Sequence, residues 1–394
     1  MSQTKQNIKN GSCPVYKKCG GCQLQNLNYK EQLRFKQNKV VKLLKSFGRV
    51  EPIIGMDNPY HYRNKVQAAF FTDRNGKIKS GVYQSGTHRI VSVDDCQIED
   101  MLADEIIVAI RKMLPSFRLT TYNEDTRKGF LRHVLVKRGF STNQVMVVLV
   151  TGTPIFPSKN NFVKALREKF PQITTVVQNI NPFKTNLVLG ERQTVLYGKG
   201  YIEDELCTCR FRISPKSFYQ INPIQTEVLY GKAIEFAGLK GDETVLDTYC
   251  GVGTIGIIAA KHGAGKVIGV ELNGDAVKDA VQNAKANRLN NIRFFKGDAG
   301  EFMESVAEEY TKPDIVMMDP PRAGSSEQFL SSLIKMSPKT VVYVSCNPET
   351  LARDLEHLRK NSDYEIKRIQ PVDMFPHTQH VEVVTLITQS RKNQ

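Results

Sequence analysis

Leu246-Asp247-Thr248-Tyr249-Cys250-Gly251-Val252-Gly253-Thr254-Ile255-Gly256 is the stretch on which the fold turns. A short apolar run passes into a glycine turn and then into an apolar helical pattern. Gly251, Gly253 and Gly256 match G-x-G-x-x-G, in which glycines let the backbone approach a ligand and an acid closing the next strand takes ribose hydroxyls. Glu271, at the end of Val267-Ile268-Gly269-Val270-Glu271, is that acid. Nicotinamide dinucleotides and S-adenosylmethionine share the adenosine part, so this stretch alone leaves both open.

Outward from it the rhythm is strand, helix, strand, helix. Thr244–Asp247, Lys266–Glu271, Ile292–Phe295, Asp314–Met318 and Thr340–Ser345 read as strands, with a helix over Asp275–Asn287. Such alternation predicts a parallel sheet covered on both faces. Val381-Glu382-Val383-Val384-Thr385-Leu386-Ile387 adds one more strand. Upstream, residues 31–47 read as a basic amphipathic helix ended by Gly48. Residues 60–205 are mostly strands and turns, with a hairpin at Arg74-Asn75-Gly76-Lys77 and helices near 99–114 and 159–169.

The chain has 394 residues, too long for one typical core, so two domains are expected. Charge divides the same way. Residues 1–200 hold 32 Lys/Arg against 14 Asp/Glu, a net +18, and residues 201–394 hold 23 against 26, a net −3. A basic half points to a polyanion, although a Lys-rich soluble surface reads alike. Tyr60-His61-Tyr62 before Arg63-Asn64-Lys65, and Phe130-Leu131 before Arg132-His133, interleave bases with aromatics as phosphate contacts and base stacking require. No apolar run reaches the roughly 20 residues of a membrane span, and Met1–Gln6 lacks the apolar stretch of a signal peptide. The expectation is a cytoplasmic protein with no membrane partner.

Strand ends carry the chemistry. Asp298, in Gly297-Asp298-Ala299, stands where an Asp commonly meets the adenine amino group of S-adenosylmethionine. Asp319-Pro320-Pro321-Arg322 fixes a rigid turn that lets carbonyls and Asp319 face a base edge. Cys346 ends Val341-Val342-Tyr343-Val344-Ser345 and precedes Asn347-Pro348. A thiol there is either packing or a nucleophile. Glu382 lies in an apolar strand, where an unpaired carboxylate is costly and its pKa should rise. His377 and His380 form a lone His-x-x-His, better read as packing or substrate contact than as metal ligands.

Ser345-Cys346-Asn347-Pro348, Asp319-Pro320-Pro321-Arg322, Phe218-Tyr219-Gln220-Ile221-Asn222-Pro223 and Asp373-Met374-Phe375-Pro376-His377-Thr378-Gln379-His380-Val381-Glu382 together resemble the RNA 5-methyluridine (uracil-C5) methyltransferases. The resemblance implies an S-adenosylmethionine-dependent enzyme in which Cys346 attacks uracil C6 and Glu382 removes the C5 proton. It implies that Gln220 contacts the methionine part of the cofactor, that Tyr249 flanks it, and that Asp319 lies between cofactor and uracil. Arg322 is a candidate to steady charge on the uracil oxygen. Tyr62 and Phe218 are aromatic candidates beside a uridine turned out of its stack.

Four further cysteines, Cys13, Cys19, Cys22 and Cys96, have the spacing C-x5-C-G-G-C with a distant fourth member. In a cytosolic protein this means metal rather than disulfides. Three clustered cysteines and one distant one suit a [4Fe–4S] cluster better than zinc, which prefers paired C-x2-C knuckles. The iron–sulfur subset of the family carries the same pattern. Many of its members also bear an N-terminal β-barrel, which this sequence is expected to lack. Cys207 and Cys209 read as alternating positions of one strand, with packing roles.

The fold class expected is α/β: a Rossmann-like S-adenosylmethionine-dependent methyltransferase domain at 206–394, preceded by an iron–sulfur and α+β RNA-binding region at 1–205. The substrate expected is a uridine of 23S ribosomal RNA, with the T-loop uridine of tRNA as alternative, and the enzyme is expected to act as a monomer. A cytosine-5 RNA methyltransferase typically has two catalytic cysteines and lacks the His-x-x-His-Val-Glu end. A non-catalytic RNA-binding protein has no need of Cys346 and Glu382, and an NAD oxidoreductase has no use for Asp-Pro-Pro-Arg.

Overall fold

A computed structural model describes residues 13–309 and 312–390. After a short turn of helix, α1 (Tyr16–Cys19), comes α2 (Tyr29–Leu44). Asn28 caps α2 by accepting the Glu31 N–H, and Glu31 returns the bond to the Asn28 N–H. The central sheet follows, built from β1 (Lys65–Thr72), β2 (Ile78–Tyr83), β3 (Ile90–Ser92), β4 (Leu131–Arg138), β5 (Val145–Thr151), β6 (Ile173–Ile180) and β7 (Arg192–Tyr197). Its order is β3-β2-β1-β4-β5-β6-β7, antiparallel except for β5 beside β6. Helices α3 (Met101–Met113) and α4 (Lys159–Lys169) connect its strands. The hairpin at Arg74–Lys77 forms as the sequence predicts, joining β1 to β2.

Strands β8 (Ile202–Leu206) and β9 (Cys209–Ile213) form a separate hairpin. Cys207 and Thr208 occupy its tip at φ 49° and 63°, the left-handed pair that a two-residue turn demands. Cys207 is therefore a turn residue, not an alternating strand position beside Cys209. The division expected at 205/206 falls inside β8.

Helix α5 (Pro223–Ala237) leads into the second sheet. Its strands are β10 (Thr244–Thr248), β11 (Lys266–Glu271), β12 (Ile292–Lys296), β13 (Ile315–Met318), β14 (Thr340–Ser345), β15 (Tyr364–Val372) and β16 (Glu382–Gln389). Between them run α6 (Thr254–Lys261), α7 (Gly274–Ala286), α8 (Ala299–Glu309), α9 (Glu327–Met336) and α10 (Pro348–Asn361). The order is β12-β11-β10-β13-β14-β16-β15, parallel from β12 to β14, with β16 inserted antiparallel between β14 and β15. The parallel strands β10, β13 and β14 are apolar runs buried almost throughout, as sheets covered on both faces require. Strand order reverses at β10/β13, so a crevice opens beyond their carboxyl ends.

The N-terminal helix packs on this second sheet. Val40 and Leu44 of α2 share a core with Leu246, Tyr343 and Leu355. The Lys36 ammonium lies 2.6 Å from Asp373, both side chains fully buried. The Tyr29 hydroxyl donates to the other Asp373 oxygen and accepts the Met56 N–H. No helix among the described residues is long and apolar enough to cross a membrane.

Candidate active site

The crevice holds a cavity of ≈ 710 Å³. The turn after β10 makes one wall. Tyr249, Gly251 and Gly253 all have positive φ, at 60°, 56° and 82°. A Cβ on Gly253 would stand 2.6 Å from the Phe294 ring in a left-handed backbone, so glycine suits this position, and any side chain there would have to displace the ring. The Gly251 N–H donates to Glu271 at 3.0 Å, and the Asn273 N–H to its other oxygen at 2.8 Å. Asp298 is exposed at the cavity rim and accepts the Gly300 N–H at 2.8 Å. Gln220 lines the opposite side and donates toward the Tyr230 hydroxyl. A glycine turn, a carboxylate closing β11 and an exposed Asp after β12 line this end of the cavity, a set of groups that fits S-adenosylmethionine.

At the other end stand Asp319, Arg322, Cys346, His380 and Glu382. Cys346 follows β14 and precedes Asn347, the N-cap of α10, with Pro348 in the first helical turn. Asn347 Nδ2 also donates to the Arg322 carbonyl at 3.2 Å, tying this corner to the Asp-Pro-Pro-Arg turn. A helix N-terminus favours a thiolate. Against it, burial first, then the Glu382 and Asp319 carboxylates, push the Cys346 thiol up to about 11, while Arg322 pulls it down. Glu382 is buried at the start of β16, and lost hydration, then Asp319, hold its carboxyl well above the usual range. Lost hydration moves Asp319 to about 7. One cavity thus joins a potential nucleophile, a carboxyl base, a guanidinium and a cradle for a methyl donor.

The chain matches the tRNA (uracil-5-)-methyltransferase family over residues 28–390. The chain belongs to that family. An uncharacterized RNA methyltransferase of Clostridium acetobutylicum is 46% identical over 382 residues, covering 95% of this chain and 82% of the relative. One from Oceanobacillus iheyensis is 43% identical over 399 residues, covering 100% of this chain and 86% of the relative. The Pyrococcus abyssi tRNA (uracil-54, C5)-methyltransferase, solved with S-adenosyl-L-homocysteine, is similar with a TM-score of 0.78 and 32% identity, covering 93% of this chain and 86% of that one. The protein is accordingly an S-adenosylmethionine-dependent RNA methyltransferase with a Rossmann-like α/β fold.

Within this family frame two residues matter that the sequence reading did not single out for chemistry. Asp247 is buried at the cavity floor, where burial pushes it to about 8. One oxygen accepts the Gly256 N–H at 2.7 Å and pins the start of α6, while the other has no partner. Its signal was its place as the one charged residue of β10, just before the glycine turn. Tyr230, buried on α5, supplies the hydroxyl facing Gln220.

Other expected positions fall differently. Arg132 and His133 are both 3% exposed, which removes them from an RNA-facing surface. The Arg132 guanidinium instead donates to the Asn181 and Phe183 carbonyls and to Glu124. Burial lowers His133 to about 4. They sit on β4, in the middle of a seven-stranded sheet. Tyr62 is likewise buried, donating to the Pro376 carbonyl, whereas Phe218 is 67% exposed at the cavity. His377 is buried beside Gln32, and His380 lines the cavity.

Cys13, Cys19, Cys22 and Cys96 line a second cavity, of ≈ 300 Å³, with Arg63 and Glu99. All four are free thiols of intermediate exposure. Burial raises Cys19, Cys22 and Cys96 above the ordinary thiol range. Among the described residues no group of three His, Cys, Asp or Glu side chains is gathered as a metal ion would need. A tetrahedral ion bound by thiolates would hold the sulfurs about 3.8 Å apart.

Proposed function

We propose that the protein methylates C5 of a uridine in 23S ribosomal RNA through a covalent adduct on Cys346. The observation that carries the chemistry is the presence of Cys346, Asp319 and Glu382 in one cavity with the Gly251–Gly253 cradle, and the ribosomal target rests on the four-cysteine pattern that resembles the family's iron–sulfur subset. S-adenosylmethionine, when bound, supplies an electrophilic methyl group. C5 of uracil is a weak nucleophile, and addition of the Cys346 thiolate to C6 makes it enolate-like. Arg322 faces the negative charge that develops on the uracil oxygen. C5 then takes the methyl group. Glu382, as carboxylate, accepts the C5 proton, and the C6–S bond breaks to return the thiolate. Gln220, Tyr249 and Asp319 hold donor and base in line.

Cys346→Ala should abolish methyl transfer, and undiminished turnover would sink the mechanism. Glu382→Gln should accumulate a covalent RNA adduct seen as a band resistant to denaturation. Mapping the methylated nucleotide after reaction with ribosomal and transfer RNA fixes the target. The T-loop uridine of tRNA is the second reading, favoured by the uracil-54 specificity named for the P. abyssi enzyme. Methylation of a T-loop transcript with none of 23S RNA would establish it.

The four-cysteine cavity is read as the seat of a [4Fe–4S] cluster held by Cys13, Cys19, Cys22 and Cys96. What supports it is the donor set: four cysteines line one cavity, and four thiolates are the ligands such a cluster takes. When bound, the cluster would order the N-terminal segment, since methyl transfer needs no electron. Anaerobically purified protein should be brown, with about four iron and four sulfide per chain. A colourless, zinc-loaded protein would refute the assignment. The enzyme is read as a cytoplasmic monomer, which sedimentation with and without RNA tests.

A further inference from the structure

The segment Ser214–Ile221 forms one wall of the methyl-donor cavity through Phe218, Gln220 and Ile221. It belongs to no helix or strand, so something else must hold its shape. Its own serines knit the first turn: Ser217 donates to the Ser214 carbonyl, and its hydroxyl accepts the Ser214 N–H. The remaining grip comes from the central sheet. The Lys137 amine, on β4, donates to the Ser214 carbonyl at 2.8 Å and the Ser217 carbonyl at 2.9 Å. Asn64 donates its backbone N–H to the Ile221 carbonyl at 2.9 Å and its Nδ2 to the Gln220 carbonyl at 3.1 Å. Lys137 is 6% exposed and Asn64 4%. The two are neighbours: Lys65 pairs with Lys137 across β1 and β4, and the Arg138 N–H donates to the Asn64 carbonyl at 2.8 Å.

We propose that Asn64 and Lys137 are positioning residues through which the central sheet sets the wall of the methyl-donor cavity. Asn64 thereby parts company with its sequence neighbours Arg63 and Lys65, with which it reads as one basic RNA-binding triplet. Its side chain turns inward to the cofactor side. A buried lysine aimed at two carbonyls satisfies acceptors that the loop's own backbone leaves open. It also explains why a lysine is buried at this position of β4. The inference rests on the reading that Gln220 meets the methionine part of the cofactor.

Asn64→Asp keeps the backbone bond and the shape but places an acceptor against the Gln220 carbonyl. Lys137→Met keeps the length and removes both donors. Affinity for S-adenosyl-L-homocysteine, measured by calorimetry, should fall about tenfold in each. KM for S-adenosylmethionine should rise in step, while RNA affinity stays near that of the parent and the thermal midpoint of Asn64→Asp falls as well, because a carboxylate is buried without a partner. A purely structural role would move the midpoint and leave the KM of the folded fraction alone. Should Lys137→Met fail to fold, Asn64→Asp decides by itself. A folded Asn64→Asp protein with the parent's affinity and KM overturns the proposal. Gln220→Ala separates the two readings. If it binds as the parent does, the role of Gln220 fails. If it weakens binding while Asn64→Asp does not, the positioning role fails and the Gln220 reading stands.

Discussion

A thiol held near 11 is almost wholly protonated at neutral pH, with roughly one in ten thousand ionised. Cys346, the proposed nucleophile, is therefore guarded in the free protein. Its guards are loss of hydration and two carboxylates, and its allies are Arg322 and the start of α10. The sign of each contribution gives a test. Asp319 raises the thiol, so Asp319→Asn should lower it, by about one unit. The rate of Cys346 alkylation by iodoacetamide, followed on its own peptide by mass spectrometry, should climb tenfold per pH unit through neutrality. In Asp319→Asn the same curve should lie at lower pH. A bound sulfonium cation should act in the same direction, whereas S-adenosyl-L-homocysteine, which lacks that charge, should not. An unchanged curve in Asp319→Asn would mean that burial alone guards the thiol.

Elements place these residues, and the turn after β10 is the least forgiving of them. Gly253→Ala puts a Cβ 2.6 Å from Phe294 in a left-handed backbone. The conformation alone costs about 1–2 kcal/mol, and the ring must also move. The variant should melt earlier and lose measurable S-adenosyl-L-homocysteine binding, checked by thermal unfolding and calorimetry. This turn was legible in the sequence because its glycines sit at a fixed distance from an apolar strand. So were β10, β11 and β14, since strands buried on both faces read as unbroken apolar runs. The site residues stood out because they are polar residues at the ends of such runs. The RNA-facing surface was less legible. Arg132 and His133 resemble a basic patch until β1, β2 and β5 close around them, and burial of that kind depends on strand order rather than on neighbours in sequence. Lys137 and Asn64 were hidden for the same reason, because their partners lie 77 and 156 positions away. Cys207 was misplaced because a two-residue turn keeps the alternation of the strands around it.

The whole molecule departs from two successive units in more than the central sheet's grip on the cavity wall: the N-terminal helix packs on the second sheet. Val40 and Leu44 are buried against that sheet's core, and Lys36 neutralises Asp373 in the segment leading to Glu382. The chain after α2 then runs along the edge strand, bridging at Val50 with Ile369 and at Ile54 with Val372. A polypeptide beginning at Lys199 keeps every strand of the second sheet and both strands of the β8–β9 hairpin, yet loses all of this. Leaving Asp373 without its buried partner costs about 3–5 kcal/mol, and each lost aliphatic side chain about 1.5–3 kcal/mol. Together these rival the whole stability of an ordinary domain, about 5–15 kcal/mol. The shortened chain should therefore show no sharp unfolding transition by circular dichroism, and adding a peptide of residues 28–56 should restore one. Restoration should fail with a peptide carrying Lys36→Met, because the apolar contacts return but the buried carboxylate stays unpaired. A cooperative melt from the shortened chain alone would instead mean that the second sheet is self-sufficient, and that α2 only covers it.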